Sequence, residues 1–312
     1  MFVGIDVGGT NLKAGLVDGD GRLLAAARRP LSGFTTAEAF AADLAELALR
    51  AVREGGARPE DLSSVGIGLP GAVDGGEVLF TANIPMEHVP LERLFRRHLD
   101  IPVYLGNDAD CAAVGELFCG AGRGCRDFVV VTLGTGIGAG IIVDGRLRGG
   151  AASSEAGHMV IRQGGELCNC GRRGCWERYA SATALIQQTR AAMEAHPDSG
   201  LYAAAEALGT VDGRTPFQAA LEGDETALAV CRQYVEYLAD GTVSLINILR
   251  PEAVAIGGGV AAAPEALLLE PLRKIVEQEA YARHGGRVTR VVRAELGNDA
   301  GIIGAALLER VL

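Results

Sequence analysis

The feature of this sequence that most constrains the fold is a glycine-rich segment that occurs twice. The segment VGIDVGGTNLKAGLVDGDGR begins at Val3, and the similar segment VVVTLGTGIGAGIIVDGRLR begins at Val129. Each copy has an apolar strand, a glycine-rich turn and a second apolar strand, which is the pattern of a β-hairpin. The repeat predicts two related lobes whose glycine turns face a cleft, although glycine-rich hairpins also recur by chance.

The remaining sequence predicts an α/β fold with mixed sheets. Short apolar strands such as SSVGIGLP and IPVYLGND alternate with helical patterns. Residues 182–245 are rich in Ala, Leu and Glu at helical spacing and predict helices of the second lobe. The C-terminal NDAGIIGAALLERVL predicts an Asx-capped helix that packs on the first lobe. We expect a small lobe of residues 1–115 and 300–312, and a large lobe of residues 116–299.

Composition and charge argue against several classes of partner. The chain has 312 residues, of which 48% are hydrophobic, and its formal net charge is −10. An acidic chain of this kind does not favour binding to nucleic acid or to an anionic membrane. The longest uncharged run, residues 128–143, is shorter than the roughly 20 residues of a membrane span. The first residues carry no secretory signal pattern, which predicts a cytoplasmic location.

Three glycine-rich turns, DVGGTN, LGTGIG and IGGGV, predict a phosphate site. Glycine exposes backbone N–H groups that a side chain would screen, although each turn alone could be an ordinary tight turn. A strand follows the LGTGIG turn where a dinucleotide fold would need a helix, and no Walker A lysine is present. Asp6, at the end of the first strand, could meet Mg²⁺ through water, and Thr10 and Thr135 could donate hydroxyls to phosphate.

The segment VYLGNDADCAAVGE places Asn107 and Asp108 between a strand and a helical pattern. Active-site residues of α/β folds collect at such strand ends. The Asp108 carboxylate could accept the proton of an attacking hydroxyl while Asn107 orients the same substrate. A helix N-terminus would keep that carboxylate ionised. The alternative is that Asp108 only caps the helix.

Four residues have the composition of a closed zinc site: His158, Cys168, Cys170 and Cys175. A disulfide knot is disfavoured in a reducing compartment, and the acidic charge disfavours a nucleic-acid knuckle. Four protein ligands leave no position for a catalytic water, so we expect a structural zinc loop over residues 157–176; inert buried thiols are the alternative. Such a loop could hold the carboxylates of Glu155 and Glu177 against sugar hydroxyls, although either could be a solvated surface charge.

These motifs together resemble the ROK family of sugar kinases and repressors, within the hexokinase and actin superfamily. The segments DVGGTN, GLPG, GNDADCAAVGE, TLGTGIGAGII, EAGH, CNCGRRGCWERYAS and IGGG occur in that family's order and cover essentially the whole chain. The resemblance implies a two-lobed actin/hexokinase-like fold, built from duplicated ribonuclease H-like units with a cleft between them.

The resemblance also implies roles for individual residues. Asp108 would be the base that activates a sugar hydroxyl, and His158 would use one ring nitrogen for zinc and the other for the sugar. The expected sugar contacts are Asn107, Asp108, Glu155, His158 and Glu177, with Gly71 and Asn83 as further contacts. The expected contacts to ATP and its Mg²⁺ are Asp6, Gly9, Thr10, Thr135, Gly136, Gly258 and Gly259.

The implied activity is the ATP-dependent phosphorylation of a hexose, with the 6-hydroxyl of glucose as the first candidate. Family repressors carry a DNA-binding helix-turn-helix before the first strand, whereas this sequence begins in that strand at Phe2, which favours a kinase. The segment TANIPMEHVPL lacks a tryptophan often found in glucose-specific members. An N-acetylmannosamine, allose or fructose kinase and a non-catalytic sugar sensor therefore remain alternatives, and the resemblance suggests a homodimer.

Overall fold

The computed structural model describes residues 1–31, 36–81, 84, 86–148, 154–286 and 288–312. The chain divides into two compact units. The first unit contains Met1–Val130, Ala139–Ser154 and Glu295–Leu312, and the second contains Val131–Gly138 and Glu155–Ala294. The lobe boundaries drawn from the sequence remain a prediction, whereas the mixed α/β class is confirmed.

The first half of the chain builds a mixed five-stranded sheet and a small antiparallel sheet. The large sheet has the order β3-β2-β1-β4-β8, in which β1, β4 and β8 are parallel, and the small sheet has the order β5-β6-β7. The elements are β1 Phe2–Val7, β2 Asn11–Val17, β3 Leu23–Pro30, α1 Ala37–Glu54, β4 Ser64–Leu69, β5 Gly71–Asp74, β6 Glu77–Thr81, β7 Glu87–Val89, α2 Leu91–Arg96, β8 Val103–Asn107 and α3 Asp108–Cys119.

The second half contains a further five-stranded sheet and most of the helices. This sheet has the order β11-β10-β9-β12-β13, and β12 and β13 are parallel. Its elements are β9 Phe128–Leu133, β10 Ile137–Val143, β11 Arg146–Leu147, α4 Glu177–Ala180, α5 Ala182–Ala195, α6 Leu201–Leu208, α7 Thr215–Leu221, α8 Glu225–Leu249, β12 Ala253–Gly257, α9 Leu269–Glu279, β13 Arg290–Arg293 and α10 Ala300–Ala306. Within the described residues, no helix is both long and apolar enough to cross a membrane.

Both predicted hairpins are present. β1 and β2 pair antiparallel across the turn at residues 8–10, and β9 and β10 are sheet neighbours joined by residues 134–136. The predicted helices of residues 182–245 are α5 to α8. The predicted C-terminal helix is α10, and Asp299 occupies its N-cap position but makes no side-chain capping bond.

The two faces of the large sheet in the first unit differ in the size of their side chains. Alternate residues of a strand point to opposite faces. The apolar core on one face contains Val3, Ile5 and Val7 of β1 together with Phe40 and Leu44 of α1. On the other face, β1 and β4 carry glycine, and α10 packs there.

Glycine allows the main chain of α10 to lie directly on the sheet and on α3. A β-carbon built on Gly4 would overlap the carbonyl oxygen of Ile302, and one on Gly66 would overlap that of Ala305. A β-carbon on Gly304 of α10 would overlap the carbonyl oxygen of Cys111 in α3. The glycines therefore allow α10 to lie closer to β1, β4 and α3 than any residue with a β-carbon would permit.

A buried carboxylate fixes the segment that leads into α10. Glu116 of α3 is fully buried. Its Oε1 accepts the N–H of Leu296 at 2.7 Å, and its Oε2 accepts those of Glu295 at 3.0 Å and Ala121 at 2.8 Å. Three backbone N–H groups thus satisfy the hydrogen-bonding capacity of a carboxylate that is shielded from water. Glu116 therefore ties α3 and the entry to α10 together.

We predict that Gly304→Ala destabilises the protein, although alanine is the better helix former. The new methyl group would overlap the Cys111 carbonyl, and overpacking of this kind costs about 1–3 kcal/mol. Thermal unfolding followed by circular dichroism should show a lower midpoint. Gly19→Ala is the matched control, because a β-carbon there has no neighbour within 4 Å. Equal midpoints for the two variants would contradict the close packing of α10.

Candidate functional site

In the first unit, the predicted site residues lie at the carboxyl ends of three neighbouring parallel strands. Asp6 lies one residue from the end of β1, Gly71 follows the residue after β4, and Asn107 ends β8. In the sheet register, Asp6 is paired with Gly68, and Leu69 with Asn107. The carboxyl ends of parallel strands share one edge, so these residues are brought to the same side of the unit.

The structure shows which of the residues Asn107 and Asp108 caps α3. Asn107 is the N-cap of α3, because its Oδ1 accepts the N–H of Ala109 at 2.8 Å. Its Nδ2 donates to the carbonyl of Gly71 at 3.1 Å, which joins two of the predicted sugar contacts. Asp108 is the first residue of the helix and is exposed, and its Oδ1 also accepts from Ala109, at 2.9 Å. Asp108 is therefore accessible and is not the capping residue.

The turn between β1 and β2 is closed by a main-chain bond from Gly8 N to Asn11 O at 3.0 Å. Gly9 and Thr10, which were predicted to contact phosphate, are exposed in this turn. Asp6 pairs with Lys13 Nζ at 3.4 Å, and the carboxylate keeps 19% of its surface accessible. The hairpin thus places one carboxylate and one ammonium near an exposed turn, an arrangement suited to a phosphate with its cation.

In the second unit, the four predicted zinc ligands come together. One ligand atom from each of His158, Cys168, Cys170 and Cys175 lies within 4.8 Å of every other. His158 Nδ1 is 3.5 Å from Cys168 Sγ, and the Sγ atoms of Cys170 and Cys175 are 3.6 Å apart. Three thiols and one imidazole form the donor set of a structural zinc site, so these residues fit the metal. The identity of the metal remains a prediction.

The loop that carries the thiols is folded by short main-chain bonds. Cys168 N donates to Arg172 O at 2.8 Å, and Gly171 N donates to Cys168 O at 2.9 Å. Gly171 and Gly174 have φ values of 86° and 85°, which glycine adopts at low cost. A β-carbon on Gly174 would also overlap the carbonyl of Arg162. The glycines between the cysteines therefore make the tight loop possible.

The three thiols differ in how easily they ionise without a metal. Burial raises the pKa of Cys168 and that of Cys175. A backbone N–H bond from Arg172 lowers the pKa of Cys170, which is exposed. A divalent cation stabilises thiolates and overcomes the cost of burying them.

The two ring nitrogens of His158 face different groups. Nδ1 faces the thiols and lies 3.7 Å from Glu177 Oε1, whereas Nε2 lies 3.8 Å from Glu155 Oε2. The ring can therefore present Nδ1 to a metal while Nε2 points toward Glu155. Cys168 Sγ donates to Glu177 Oε1 at 3.1 Å, so the Glu177 carboxylate lies beside the metal ligands. Both predicted sugar-binding glutamates thus adjoin the cysteine and histidine cluster.

The glycine turns of the second unit lie near this cluster. A β-carbon on Gly136 would lie 2.5 Å from Glu177 Oε2, and Thr135 is exposed in the same turn. Gly258 has a φ of 83°, and a β-carbon there would overlap the backbone of Leu133, at the end of β9. The turn after β9 carries Thr135 and Gly136, and the turn after β12 carries Gly258 and Gly259. The close approach of Gly258 to Leu133 brings these two turns together.

Sequence reasoning missed two residues that contact the predicted ones. The sequence motifs assign no role to Lys13, yet the pairing of β1 with β2 places it opposite Asp6. They assign no role to Trp176 either, yet it is fully buried and donates from Nε1 to Tyr237 O at 2.8 Å. The hairpin register could have indicated Lys13, whereas nothing local indicated the partner of Trp176. The predicted contact Asn83 lies outside the described residues.

We predict about one zinc ion per chain in the purified protein, measured by inductively coupled plasma mass spectrometry. Cys168→Ser should lower the zinc content several-fold, because it removes one of the four ligands. Cys231→Ser is the control, because Cys231 is also buried but is not part of the cluster. Equal zinc loss in both variants, or a metal-free wild-type protein, would contradict the assignment.

The chain is similar to known proteins over nearly its whole length. The ROK family model matches residues 2–311. A glucokinase of Thermotoga maritima is 38% identical over 310 residues, which cover 98% of this chain and 96% of that protein. A crystal structure of a ROK family glucokinase from Streptomyces griseus, in complex with glucose and AMPPNP, is 35% identical, with a TM-score of 0.79 and coverage of 98% of each chain. That fold is the actin/hexokinase-like fold implied by the sequence.

Proteins with another described role also match. A xylose repressor of Caldicellulosiruptor bescii is 31% identical over 242 residues, which cover 76% of this chain and 60% of that protein. The family match spans nearly the whole sequence, and the full-length match to the glucokinase exceeds 30% identity. The chain therefore belongs to the ROK family.

Proposed function

We propose that this protein is an ATP-dependent hexose kinase that prefers glucose and phosphorylates its 6-hydroxyl. The observation that carries the proposal is the exposed carboxylate of Asp108 at the start of α3, beside the ends of three parallel strands. The similarity to glucokinases over the whole chain supports ATP and a sugar as the substrates. The preference for glucose and the site roles below are parts of the proposal.

In the proposed reaction, the sugar hydroxyl oxygen attacks the γ-phosphorus of ATP. The bond from that phosphorus to the β,γ-bridging oxygen breaks, ADP leaves, and the hydroxyl proton passes to Asp108. The α3 N-terminus and the Ala109 N–H lie beside this carboxylate and stabilise negative charge there, and the proposed reaction needs only a weak base. Phosphoryl transfer tolerates a weak base because its loose transition state requires mainly positioning and charge neutralisation.

Sugar recognition is assigned to polar groups of both units. Asn107 would hold the substrate beside the base with the Nδ2 hydrogen that does not bond to Gly71. The Glu155 and Glu177 carboxylates would accept hydrogen bonds from the other hydroxyls, and His158 Nε2–H would donate one. A carboxylate fixed next to a metal loop loses little rotamer freedom on binding, which favours discrimination between hexoses.

The phosphates are assigned to the exposed glycine turns. Gly9 and Thr10 of the first unit, and Thr135 and Gly136 of the second, offer N–H and hydroxyl donors, while Gly258 and Gly259 would lie near the nucleotide. Asp6 is the carboxylate that would hold Mg²⁺ through water, and Lys13 Nζ lies 3.4 Å from it. Magnesium bound with ATP would neutralise part of the phosphate charge. The four metal ligands would hold zinc as a brace for the recognition loop.

We predict that Asp108→Asn lowers kcat by about 10²- to 10⁴-fold and leaves the dissociation constant for sugar within a few-fold of the wild type. Asparagine keeps the shape and the hydrogen-bonding oxygen but cannot take the proton. A coupled assay of ADP release and calorimetric sugar titration would measure the two effects. Asp100→Asn is the control, because Asp100 is exposed and, within the described part of the chain, forms an ion pair with Arg96 of the same unit. Full activity of Asp108→Asn would remove Asp108 as the base.

A sugar-sensing role is the second candidate, because a xylose repressor is among the relatives. A sensor needs the recognition residues but not a base. We predict ADP release with hexoses, greatest with glucose, across a panel of glucose, N-acetylmannosamine, allose, fructose and xylose. Turnover with another hexose would correct the substrate but keep the kinase. Sugar binding without ADP release from any of the five would favour the sensor.

A further inference from the structure

The segment after the last cysteine is anchored in a slot on α8. Trp176 has no accessible surface, and its Nε1 donates to the carbonyl of Tyr237 at 2.8 Å. A β-carbon on Gly241 would overlap the indole ring. In an α-helix the carbonyl of residue 237 also pairs with the N–H of residue 241, so the same turn of α8 supplies both the acceptor and the space. Gly241 therefore makes the slot and Trp176 fills it.

Neighbouring aromatic contacts strengthen the same attachment. The ring centroids of Tyr179 and Tyr237 are 5.1 Å apart, and the guanidinium of Arg162 lies 4.9 Å from the Tyr237 ring centroid. The Tyr179 hydroxyl oxygen accepts the N–H of Glu166 at 2.7 Å. The cysteine loop is thus joined to α8 on both sides of the indole.

Trp176 lies between two residues of the proposed site. Cys175 precedes it and Glu177 follows it. Its backbone N–H donates to the carbonyl of Met159 at 2.8 Å, and Met159 follows His158. The indole therefore fixes the main chain from which the Glu177 carboxylate extends. The four ligand atoms of the metal cluster do not include any atom of Trp176.

We propose that Trp176, seated against Gly241, is a positioning residue that sets the Glu177 carboxylate for sugar binding. The inference rests on the proposed function, because it assigns Glu177 to the sugar. The metal ligands hold the loop on the Cys175 side of Glu177. The indole holds the main chain of Trp176, which lies between Cys175 and Glu177. Loss of the indole contact frees the Glu177 carboxylate while the four ligands stay in place.

Two variants disturb the slot from opposite sides. Trp176→Phe keeps an aromatic ring and removes the Nε1 donor, whereas Gly241→Ala adds a methyl group against the indole. In both variants we expect the dissociation constant and the KM for glucose to rise roughly tenfold, as for the loss of one charge-assisted hydrogen bond. We expect kcat to stay within about twofold, because the bond is present in both the ground state and the transition state. We expect about one zinc per chain in both.

A double variant tests whether Trp176 acts through Glu177. Glu177→Gln should itself weaken glucose binding, and adding Trp176→Phe should weaken it no further, because the two changes remove the same interaction. Multiplicative effects would overturn the proposal. Loss of zinc from Trp176→Phe would also overturn it, because the indole would then support the metal site and not the carboxylate.

Thr189→Val is the matched control for the general loss of a buried hydrogen bond. Thr189 has no accessible surface, and its Oγ1 donates to the carbonyl of Leu185 at 2.8 Å in the same unit. Equal weakening of glucose binding by Thr189→Val and Trp176→Phe would overturn the specific role. Trp176 is the single tryptophan of the chain, so a red shift of its fluorescence in Gly241→Ala would report displacement of the indole.

The outcomes separate this inference from the proposed function. A wild-type protein that binds glucose and releases ADP, with slot variants that bind glucose equally well, overturns the inference alone. A wild-type protein without binding or turnover of any hexose in the panel overturns both. Weaker glucose binding with retained zinc and unchanged kcat supports the positioning role.

Discussion

The contact on which the first unit depends is the direct approach of α10 to β1, β4 and α3. Gly4 and Gly66 leave no side chain between the sheet and the helix, and Gly304 leaves none between the two helices. The positions of these elements are therefore set by main-chain contact and not by adaptable side chains. Gly301 of α10 lies beside Asp6, and α3 begins at Asp108. The two carboxylates assigned to the reaction thus extend from one closely packed block, and catalysis by positioning needs that accuracy.

The second unit reaches similar accuracy by a different combination of contacts. Gly157 and Gly174 allow the loop to approach the carbonyls of Ile137 and Arg162, and Gly241 admits the indole of Trp176. The cluster of His158 and the three cysteines, whose ligand atoms lie within 4.8 Å of one another, holds the same loop at a second point. Neither a metal alone nor packing alone would hold a carboxylate such as Glu177 against its own rotamer entropy. Together, the metal and the packing leave the Glu177 side chain few alternative rotamers.

Local sequence determines most of what could be predicted here. The two hairpins, the helices α5 to α8 and the gathering of His158 with three cysteines follow from alternation, periodicity and ligand spacing, and the structure contains them. The salt bridge of Lys13 with Asp6 needs the strand register, which only pairing defines. The slot for Trp176 lies 65 positions away in sequence at Gly241, and two backbone donors to the Glu116 carboxylate, Glu295 and Leu296, are more than 170 residues away from it. Contacts at such separation depend on tertiary packing, so no local pattern indicates them.

The proposed base and three of the proposed sugar contacts lie in different units of the chain. In the first unit, Asp108 lies at the N-terminus of α3 and accepts the N–H of Ala109. The glutamates and the histidine proposed to recognise sugar lie at the metal loop in the second. A change at Asp108 alone would therefore remove turnover and leave the recognition residues intact. A sugar sensor of the same family would need the recognition residues but not the base, so the Asp108 carboxylate is one chemical difference between the two candidate roles.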